Sequence, residues 1–438
     1  MKFTTIVSLL ASVTAAAKCK PRYPVDNTHC PDTGSPVGNV KTGFENWLEM
    51  MKSPDFDFKS NYGFITNPTA VNRDLVHEVD YLVAENKLKI VGVVGPEHGF
   101  RGAAQAGESL GAATYRDVIT NLTVYDGYAF TNGSQWANAF NKMEADTLVF
   151  DIQDVGARFY TYIWTMYDAM VGAALAKKKF IVLDRPNPVG GLVVDGATLQ
   201  LQNASFIGRR EIAQQHGMTV GELATLFNEE FLPNEVQLNN TAVKKIDLQV
   251  IKMTGWERSM YFDQTGLPWI IPSPNMPTPS TATVYPGQSL FEGTNLSEGR
   301  GTTRPFETVG APFMKDLALD TLVKTLNSYK LPGVIFRPFY FTPSFSKFSG
   351  VECGGLQLYV SDRRTYRPIT AAIATLSTIR NQFPANFTIL ATNSIDRLSG
   401  NTKLRKFLNE GASYPTIVSS YQADVAAFTQ LRSKYLMY

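Results

Sequence analysis

Short, almost wholly apolar segments alternate with helical patterns through the first half of the chain. The apolar segments lie at 62–67, 90–94, 147–152 and 180–184. Segments that are apolar at successive positions suit strands buried on both faces, and strands that alternate with helices indicate a parallel sheet covered by helices. The pattern therefore predicts an α/β fold whose first domain is Rossmann-like.

Apolar spacing and capping residues predict the helices between these strands. Asn72 can cap a helix that continues through Val83, and further helices are expected over 133–145 and 160–178. Thr219 followed three residues later by Glu222 is the signature of a capping box. No Gly-x-Gly-x-x-Gly motif links a strand to a helix, so a dinucleotide is not indicated, and no cofactor is predicted.

The second half of the chain predicts a smaller α/β domain. A Pro-, Ser- and Thr-rich stretch at 272–286 is typical of a linker or an extended active-site segment. Beyond it we expect helices over 315–328, 369–381 and 416–435 and strands over 333–341 and 356–360. The predicted organisation is a signal peptide at 1–17, an arm at 18–40, a Rossmann-like catalytic domain at 41–285 and a C-terminal α/β domain at 286–438.

The N-terminal residues predict secretion. Lys2, an apolar stretch at 6–13 and three alanines at 15–17 have the order of a signal peptide. The rest of the sequence contains no run of about eighteen apolar residues, so no membrane span is predicted. In an oxidising compartment Cys19 and Cys30 are expected to form a disulfide. Asn-x-Ser/Thr sequons, which fit a glycosylated eukaryotic protein, occur at Asn121, Asn132, Asn203, Asn239, Asn295 and Asn386.

Charge and composition limit the classes of binding partner that the protein is expected to have. The formal net charge is +2 and charged residues make up 18% of the chain, so no basic excess indicates nucleic acid. Aromatic residues make up 12%. They suit sugar rings, although most phenylalanines and tyrosines pack in cores.

The strand at 90–94 is followed at once by Pro96, Glu97, His98 and Gly99. Ligands of open parallel sheets bind beyond the carboxyl ends of the strands, and a Glu-His pair there is a candidate for proton transfer. The alternative is a turn whose glycines and proline set the backbone and whose glutamate is solvated.

Two further strand ends carry polar side chains. Asp151, Asp154 and Arg158 follow the strand at 147–152 and can bind a ligand, or they can cap a helix and hold the loop. Arg185 and Asn187 lie between prolines after the next strand, either as ligand contacts or as a structural turn.

The segment 291–307 is a polar, glycine-rich loop. It contains Glu292, Glu298, Arg300 and Arg304. This composition is too polar for a core and too rich in glycine for a helix, so it favours a substrate-binding loop over a solvated surface loop.

These residues allow more than one function. Paired carboxylates fit glycoside hydrolysis. Metal-assisted hydrolysis would use His98, Asp151, Asp154 and His216, but no His-Glu-x-x-His motif is present. A serine hydrolase is not indicated, because no predicted strand leads through a Gly-x-Ser-x-Gly turn into a helix. A secreted glycan-binding protein without catalysis is the third hypothesis.

Several motifs in the same order resemble the exo-β-N-acetylmuramidase family. They lie at 96–102, 151–158, 184–188, 217–223 and 292–302 and cover most of the mature chain. The resemblance implies a Rossmann-like domain followed by a smaller α/β domain, with the active site in the cleft between the two domains. It also implies release of N-acetylmuramic acid from the non-reducing ends of peptidoglycan fragments.

The resemblance also implies roles for individual residues. Glu97 corresponds to the family's proposed catalytic glutamate. In a partly desolvated cleft it is expected to keep its proton and act as the general acid, with Glu298 or Glu292 as the second carboxylate. Arg158, Arg300 or Arg304 can bind the lactyl carboxylate of the substrate. Asn295 lies in the substrate loop and is expected to remain unglycosylated. The remaining predicted substrate contacts are His98, Arg101, Asp151, Asp154, Arg185, Asn187 and Asn295.

Overall fold

A computed structural model describes residues 38–108, 111–237 and 241–438. The predicted signal peptide, the Cys19–Cys30 disulfide and the sequon at Asn239 lie outside the described residues.

The first domain is built on a seven-stranded sheet, as the alternating pattern predicts. In chain order the strands are β1 (Tyr62–Thr66), β2 (Ile90–Gly95), β3 (Thr114–Arg116), β4 (Thr123–Asp126), β5 (Thr147–Asp151), β6 (Lys179–Leu183), β7 (Val236–Gln237), β8 (Thr241–Ala242) and β9 (Leu248–Ile251). The sheet order is β3-β4-β2-β1-β5-β6-β9, while β7 and β8 pair separately. Each neighbouring pair in the sheet is parallel except β3 and β4.

Helices cover both faces of this sheet. They are α1 (Gly43–Met50), α2 (Glu78–Ala84), α3 (Gly133–Lys142), α4 (Tyr162–Ala176) and α5 (Val220–Leu226). Successive strand residues point to opposite faces, so Phe64 packs in the cluster beneath α1 and α2, whereas Ile65 packs in the cluster beneath α3 and α4. Burial on both faces explains why the strands read as continuous apolar runs.

One predicted helix begins later than expected. Helix α2 begins at Glu78 with His77 as its cap, rather than at Asn72. The Asn72 side chain instead accepts hydrogen bonds from the backbone of Asp74 and Val76. Leu75 adopts a φ of 61° and is 57% exposed. The prediction for 72–77 was wrong because a side-chain turn competes with the helix.

The second domain is a smaller antiparallel sheet with helices. It follows α6 (Pro279–Gln288) and contains β10 (Thr308–Ala311), α7 (Asp316–Ser328), β11 (Val334–Phe341), β12 (Cys353–Val360), α8 (Pro368–Gln382), α9 (Ser394–Ser399), α10 (Lys403–Asn409), α11 (Tyr414–Ser419) and α12 (Gln422–Arg432). The strand order is β10-β12-β11. The two-domain α/β prediction is confirmed.

Two predictions for this region were wrong in detail. The stretch at 272–286 contains the start of α6. Thr278 caps this helix, and Pro279 is accommodated because the first turn of a helix tolerates proline. The predicted domain boundary after residue 285 stays a prediction, and residue 285 itself lies within this helix. The single helix expected over 416–435 is two helices, interrupted at Tyr421, whose ring is buried.

Contacts between the domains are extensive and polar. Arg158 of the first domain donates to the Leu398 carbonyl at 2.8 Å. Arg432 at the end of α12 donates to the carbonyls of Gly191 and Gly217. The described residues, from 38 onward, belong to a single compact unit. None of the described helices is long and apolar enough to cross a membrane.

The predicted glycosylation sites in the described residues differ in their surroundings. Asn121 and Asn386 are exposed, whereas Asn203 is partly buried. The Asn132 side chain caps α3 through its oxygen. Attachment of a glycan at these four positions stays a prediction.

Candidate active site

The carboxyl ends of the parallel strands bring the predicted polar residues to one edge of the sheet. Glu97 follows β2, Asp154 follows β5, and Arg185 follows β6. Strand β1 ends beside β5, where Thr66 Oγ1 donates to the Asp151 carbonyl at 3.0 Å. Parallel strands end at the same edge, so a site at this edge follows from the topology.

Two donors hold the Glu97 carboxylate. Thr161 Oγ1 donates to Glu97 Oε2 at 2.7 Å, and the Gly107 N–H donates to Oε1 at 3.2 Å. Thr161 immediately precedes α4, so the carboxylate lies beside the partial positive charge of a helix N-terminus. Glu97 is partly buried.

A tyrosine from α6 links the two domains at this site. The ring of Tyr285 packs edge-on against Tyr160 at 5.7 Å, and Tyr160 packs against Tyr162 at 5.1 Å. Burial raises the pKa of Tyr285 well above its usual value, and the charges of Glu292 and Glu97 raise it further. Carboxylates from both domains therefore act on one buried hydroxyl.

Glu298 is held by Lys347, which lies outside the polar loop in the sequence but contacts it in the structure. Lys347 Nζ donates to Glu298 Oε2 at 3.0 Å and also to the backbone carbonyls of Phe291 and Leu296. The Glu298 side chain is only 3% exposed. Lys347 thus uses Glu298 as one of several acceptors that fix the shape of the loop.

Glu292 is more accessible than Glu298. Its side chain is 31% exposed, and its nearest cation is Arg300, whose Nη2 lies 3.5 Å from Glu292 Oε2. Burial nevertheless raises the pKa of Glu292, against the lowering effect of Arg300. Glu292 is therefore the loop carboxyl group that solvent reaches more easily.

Arg300 lies between the two loop glutamates. Its Nε is 3.4 Å from Glu298 Oε1, and its guanidinium lies 5.0 Å from the centre of the Phe306 ring. Its side chain is 19% exposed. Of the three arginines predicted to bind the lactyl carboxylate, Arg300 is the one placed beside Glu292.

The other two arginines have different environments. Arg158 is completely buried and donates to the carbonyls of Ala197, Ile212 and Leu398. Burial lowers its pKa to about 9. Arg304 is 55% exposed and pairs with Glu307 at 2.8 Å. The observed contacts of Arg158 are structural.

Several other predicted substrate contacts are used internally. Asp151 and Arg185 form a buried ion pair, with Arg185 Nη2 2.9 Å from Asp151 Oδ2. Arg101 bridges Asp80 and Asp117 at 2.8 and 2.7 Å. These side chains stabilise the loops at the sheet edge rather than point to an open ligand site.

Asn187, His98 and Asn295 also hold backbone segments. Asn187 Nδ2 donates to the Met218 carbonyl at 3.0 Å. His98 adopts a φ of 70°, and its Nδ1 lies 2.9 Å from the Ala104 carbonyl. Asn295 Nδ2 donates to the Asn386 carbonyl at 2.8 Å. The Asn295 amide is thus engaged where a glycan would be attached, and its predicted lack of a glycan stays a prediction.

Asp154 and His216 have unused polar atoms. In the described residues, Asp154 Oδ1 and His216 Nε2 are buried without a hydrogen-bond partner, and His216 Nε2 lies 3.8 Å from Asp154 Oδ2. Buried polar atoms are usually hydrogen-bonded. These two atoms are therefore available to a polar ligand or to water.

The four residues considered for a metal are not arranged as a ligand set. Within 38–108, 111–237 and 241–438, no group of three or more His, Cys, Asp or Glu side chains is placed to hold a metal ion. The Asp151 carboxylate is engaged by Arg185, and His216 Nδ1 accepts from the Met218 N–H at 3.2 Å.

Sequence reasoning missed Tyr285, Thr161 and Lys347. Tyr285 lies in the stretch predicted to be extended, and nothing in the pattern placed it near Glu97. Thr161 lies in the helix predicted over 160–178, although the N-terminus of such a helix could have been examined for donors. Lys347 is far from Glu298 along the chain, and no local signal joins them.

Two family models match almost the whole of the described chain. The N-terminal model of the exo-β-N-acetylmuramidase NamZ matches residues 62–280, and the C-terminal model matches residues 283–438. The chain belongs to the NamZ family. It is therefore a glycoside hydrolase, as the motifs predicted.

Relatives of this NamZ-family chain agree with the assignment. It is 45% identical over 402 residues to the peptidoglycan β-N-acetylmuramidase NamZ of Bacillus subtilis (strain 168), and the matched region covers 91% of each of the two chains. Two solved DUF1343 family proteins of Bacteroides fragilis share its fold. One has a TM-score of 0.81 at 31% identity and covers 92% of this chain and 100% of the other. The second has a TM-score of 0.69 at 27% identity and covers 91% and 99%.

Proposed function

We propose that the protein is a secreted exo-acting hydrolase that releases N-acetylmuramic acid from the non-reducing ends of peptidoglycan fragments. The observation that supports this most is that the charges of Glu97 at the sheet edge and of Glu292 in the polar loop both raise the pKa of the buried Tyr285, whose ring packs against Tyr160 at the start of the helix that holds Glu97. Glycoside hydrolysis requires two carboxyl groups on either side of the scissile bond. The Bacillus subtilis relative carries the corresponding activity in its name.

We assign the two carboxyl groups different roles. Burial raises the pKa of Glu292, which suits a general acid that protonates the leaving oxygen. Glu97 accepts hydrogen bonds from Thr161 and Gly107, which suits a carboxylate that attacks the anomeric carbon or activates water. This assignment keeps Glu97 in acid/base chemistry but gives the first proton transfer to Glu292.

The same geometry provides contacts for the sugar. Asp154 Oδ1 and His216 Nε2 are buried polar atoms available for hydroxyl or amide groups. Arg300 can pair with the lactyl carboxylate, because a protonated Glu292 no longer competes for its guanidinium. Tyr160 is 8% exposed, so its ring edge can contact the substrate.

The experiment compares Glu97→Gln and Glu292→Gln on two β-N-acetylmuramides with different leaving groups. A nitrophenolate departs with little help from an acid, whereas a sugar alcohol needs a proton. We expect Glu97→Gln to lower kcat about 10²–10⁴-fold on both substrates. Glu292→Gln should lower it by a similar factor on the disaccharide and by far less on the nitrophenyl substrate.

Glu298→Gln is the matched control, since Glu298 lies in the same loop. We expect it to lower thermal stability, because Lys347 loses an acceptor, and to leave the leaving-group dependence unchanged. Absence of hydrolysis by the wild type on either substrate would overturn the proposed function. Equal losses by Glu292→Gln on both substrates would overturn its role as the acid.

A further inference from the structure

One face of the three-stranded sheet of the second domain carries exposed apolar and aromatic side chains. Leu356 and Leu358 of β12 point into the core. The opposite face presents Ile335, which is 55% exposed, and Tyr359, which is 46% exposed. These two residues are directly paired across β11 and β12.

Two arginines border the exposed aromatic ring. Arg337 Nη1 lies 3.3 Å from Gln357 Oε1 and 3.4 Å from the Tyr359 hydroxyl. Within the part of the chain that the structure describes, no ion pair joins Arg337 to a carboxylate. Arg304 lies close enough for the Tyr359 hydroxyl to influence its pKa, although its main partner is Glu307. We call Arg304, Ile335, Arg337 and Tyr359 the outer-face patch.

The outer-face patch is continuous with the loop that carries the candidate catalytic group. Arg304 lies four residues after Arg300 in the same loop. The Leu358 N–H donates to the Glu307 carbonyl at 3.0 Å, which fixes the end of this loop to β12. Phe306 packs against Tyr285 with ring centres 4.8 Å apart. A backbone hydrogen bond and a ring contact therefore connect Tyr285 of the candidate site with the end of the loop that carries Arg304.

We propose that the outer-face patch binds the glycan strand that leaves with the reducing-side product, through aromatic contact with a sugar ring and through guanidinium contacts with the lactyl carboxylates of muramic acid units. This inference rests on the proposed function. An enzyme that removes a terminal sugar must accommodate the rest of the polymer on the surface beside the site. A tyrosine beside the guanidinium of Arg337, which pairs with no carboxylate of the described residues, complements a peptide-free strand, which carries both sugar faces and regularly spaced carboxylates.

Kinetics on substrates of different length test the patch. Arg337→Ala and Tyr359→Ala are assayed on long peptide-free glycan strands and on the nitrophenyl β-N-acetylmuramide, which does not reach the patch. We expect KM for the strands to rise about fivefold to tenfold in each variant, as expected for the loss of one contact of this type. The kcat/KM for the small substrate should stay within about twofold.

Matched variants control for charge and for removal of a tyrosine. Tyr340→Ala removes a tyrosine of similar exposure from β11 that contacts the start of α7 instead. Lys324→Ala removes an exposed cation on α7. Both should leave KM for the strands unchanged. An equal rise in KM for either control would overturn the proposal, as would equal effects of Arg337→Ala on long and short substrates.

Binding without turnover separates this inference from the proposed function. Glu97→Gln protein is titrated with the same strands and with strands whose carboxyl groups have been reduced to alcohols. We expect Arg337→Ala in this background to weaken binding of the native strands about fivefold or more and that of the reduced strands much less. If the wild type hydrolyses nothing but this difference is found, the proposed function fails and the patch stands. Identical binding with and without Arg337 overturns the patch.

Discussion

At the scale of single residues, burial decides which motif residues can reach a ligand. Arg158 and Arg300 both occupy motif positions that are suitable for a carboxylate. Arg158 has no exposed surface and is bonded to three backbone carbonyls, whereas Arg300 is partly exposed and lies beside Glu292. The same residue type therefore has a structural role at one position and a possible chemical role at the other.

Replacement of Arg158 tests this distinction. We expect Arg158→Met to lower the free energy of unfolding by about 3–5 kcal/mol, because three carbonyl groups lose their donor in the protein interior. Chemical denaturation monitored by tryptophan fluorescence measures the change.

Arg304→Met is the comparison for this prediction. Arg304 is exposed and its ion pair with Glu307 spans one turn, so the expected loss is below about 1 kcal/mol. A normal stability for Arg158→Met combined with a large rise in KM would show that Arg158 binds substrate instead.

At the scale of elements, the start of α5 is fitted closely to β6. Thr219 and Glu222 form the predicted capping box. The Gly221 N–H donates to Asp184 Oδ1 at 2.7 Å. A Cβ added at Gly221 would lie 2.5 Å from Val250 Cγ1 and 2.7 Å from Asp184 Cγ. The glycine permits the helix to approach the end of the strand.

Gly221→Ala separates helix propensity from packing. Alanine favours a helix by about 1 kcal/mol relative to glycine, but the close contacts with Asp184 and Val250 should cost more. We expect a net loss of about 1–2 kcal/mol in the free energy of unfolding. Ser328→Ala at the exposed end of α7 should change it by less than about 0.5 kcal/mol. A stabilised Gly221→Ala protein would show that α5 can move away from β6.

At the scale of the whole molecule, the C-terminal segment is bonded to the first domain. The Tyr438 hydroxyl donates to Asp184 Oδ2 at 2.7 Å, and the Tyr438 carbonyl accepts from Arg258 at 3.0 Å. Burial raises the pKa of Asp184 to about 7, while the hydrogen bond from Tyr438 lowers it. This contact joins the second domain to the strand end that carries Arg185.

Tyr438→Phe should make stability more sensitive to pH. A carboxyl group whose pKa is higher in the folded than in the unfolded protein contributes stability at low pH, and this contribution is lost as the pH rises through the folded pKa. Removal of the Tyr438 donor should raise the pKa of Asp184 further, so the ionised form becomes more costly. We expect a larger loss in the free energy of unfolding at pH 8.5 than at pH 5.5.

Denaturant titrations at the two pH values measure this difference. Tyr261→Phe is the control, because the Tyr261 hydroxyl donates to the carbonyl of Arg363 rather than to a carboxylate. Its cost should be the same at both pH values. An equal cost for Tyr438→Phe at both pH values would contradict the link between Tyr438 and the ionisation of Asp184.

Local sequence patterns were sufficient to predict most helices and strands, but they did not predict the contacts between distant segments. The strands β1, β2, β5 and β6 lie within one residue of their predicted positions, because burial on both faces demands continuous apolar runs. The helix breaks at Asn72 and Tyr421 were missed, since a side-chain turn and the burial of one ring override apolar spacing there.

The sequence by itself determined the α/β alternation, the edge of the sheet that carries Glu97, and the family to which the chain belongs. These depend on periodicity and on motifs that are local in the chain. Only the tertiary structure decided that Glu292, rather than Glu298, is the accessible carboxyl group, because Lys347 reaches Glu298 from a position that no local rule connects to the loop. Only folding could show which charged side chains are buried and paired and which stay open to a ligand, since both depend on every segment packed around them.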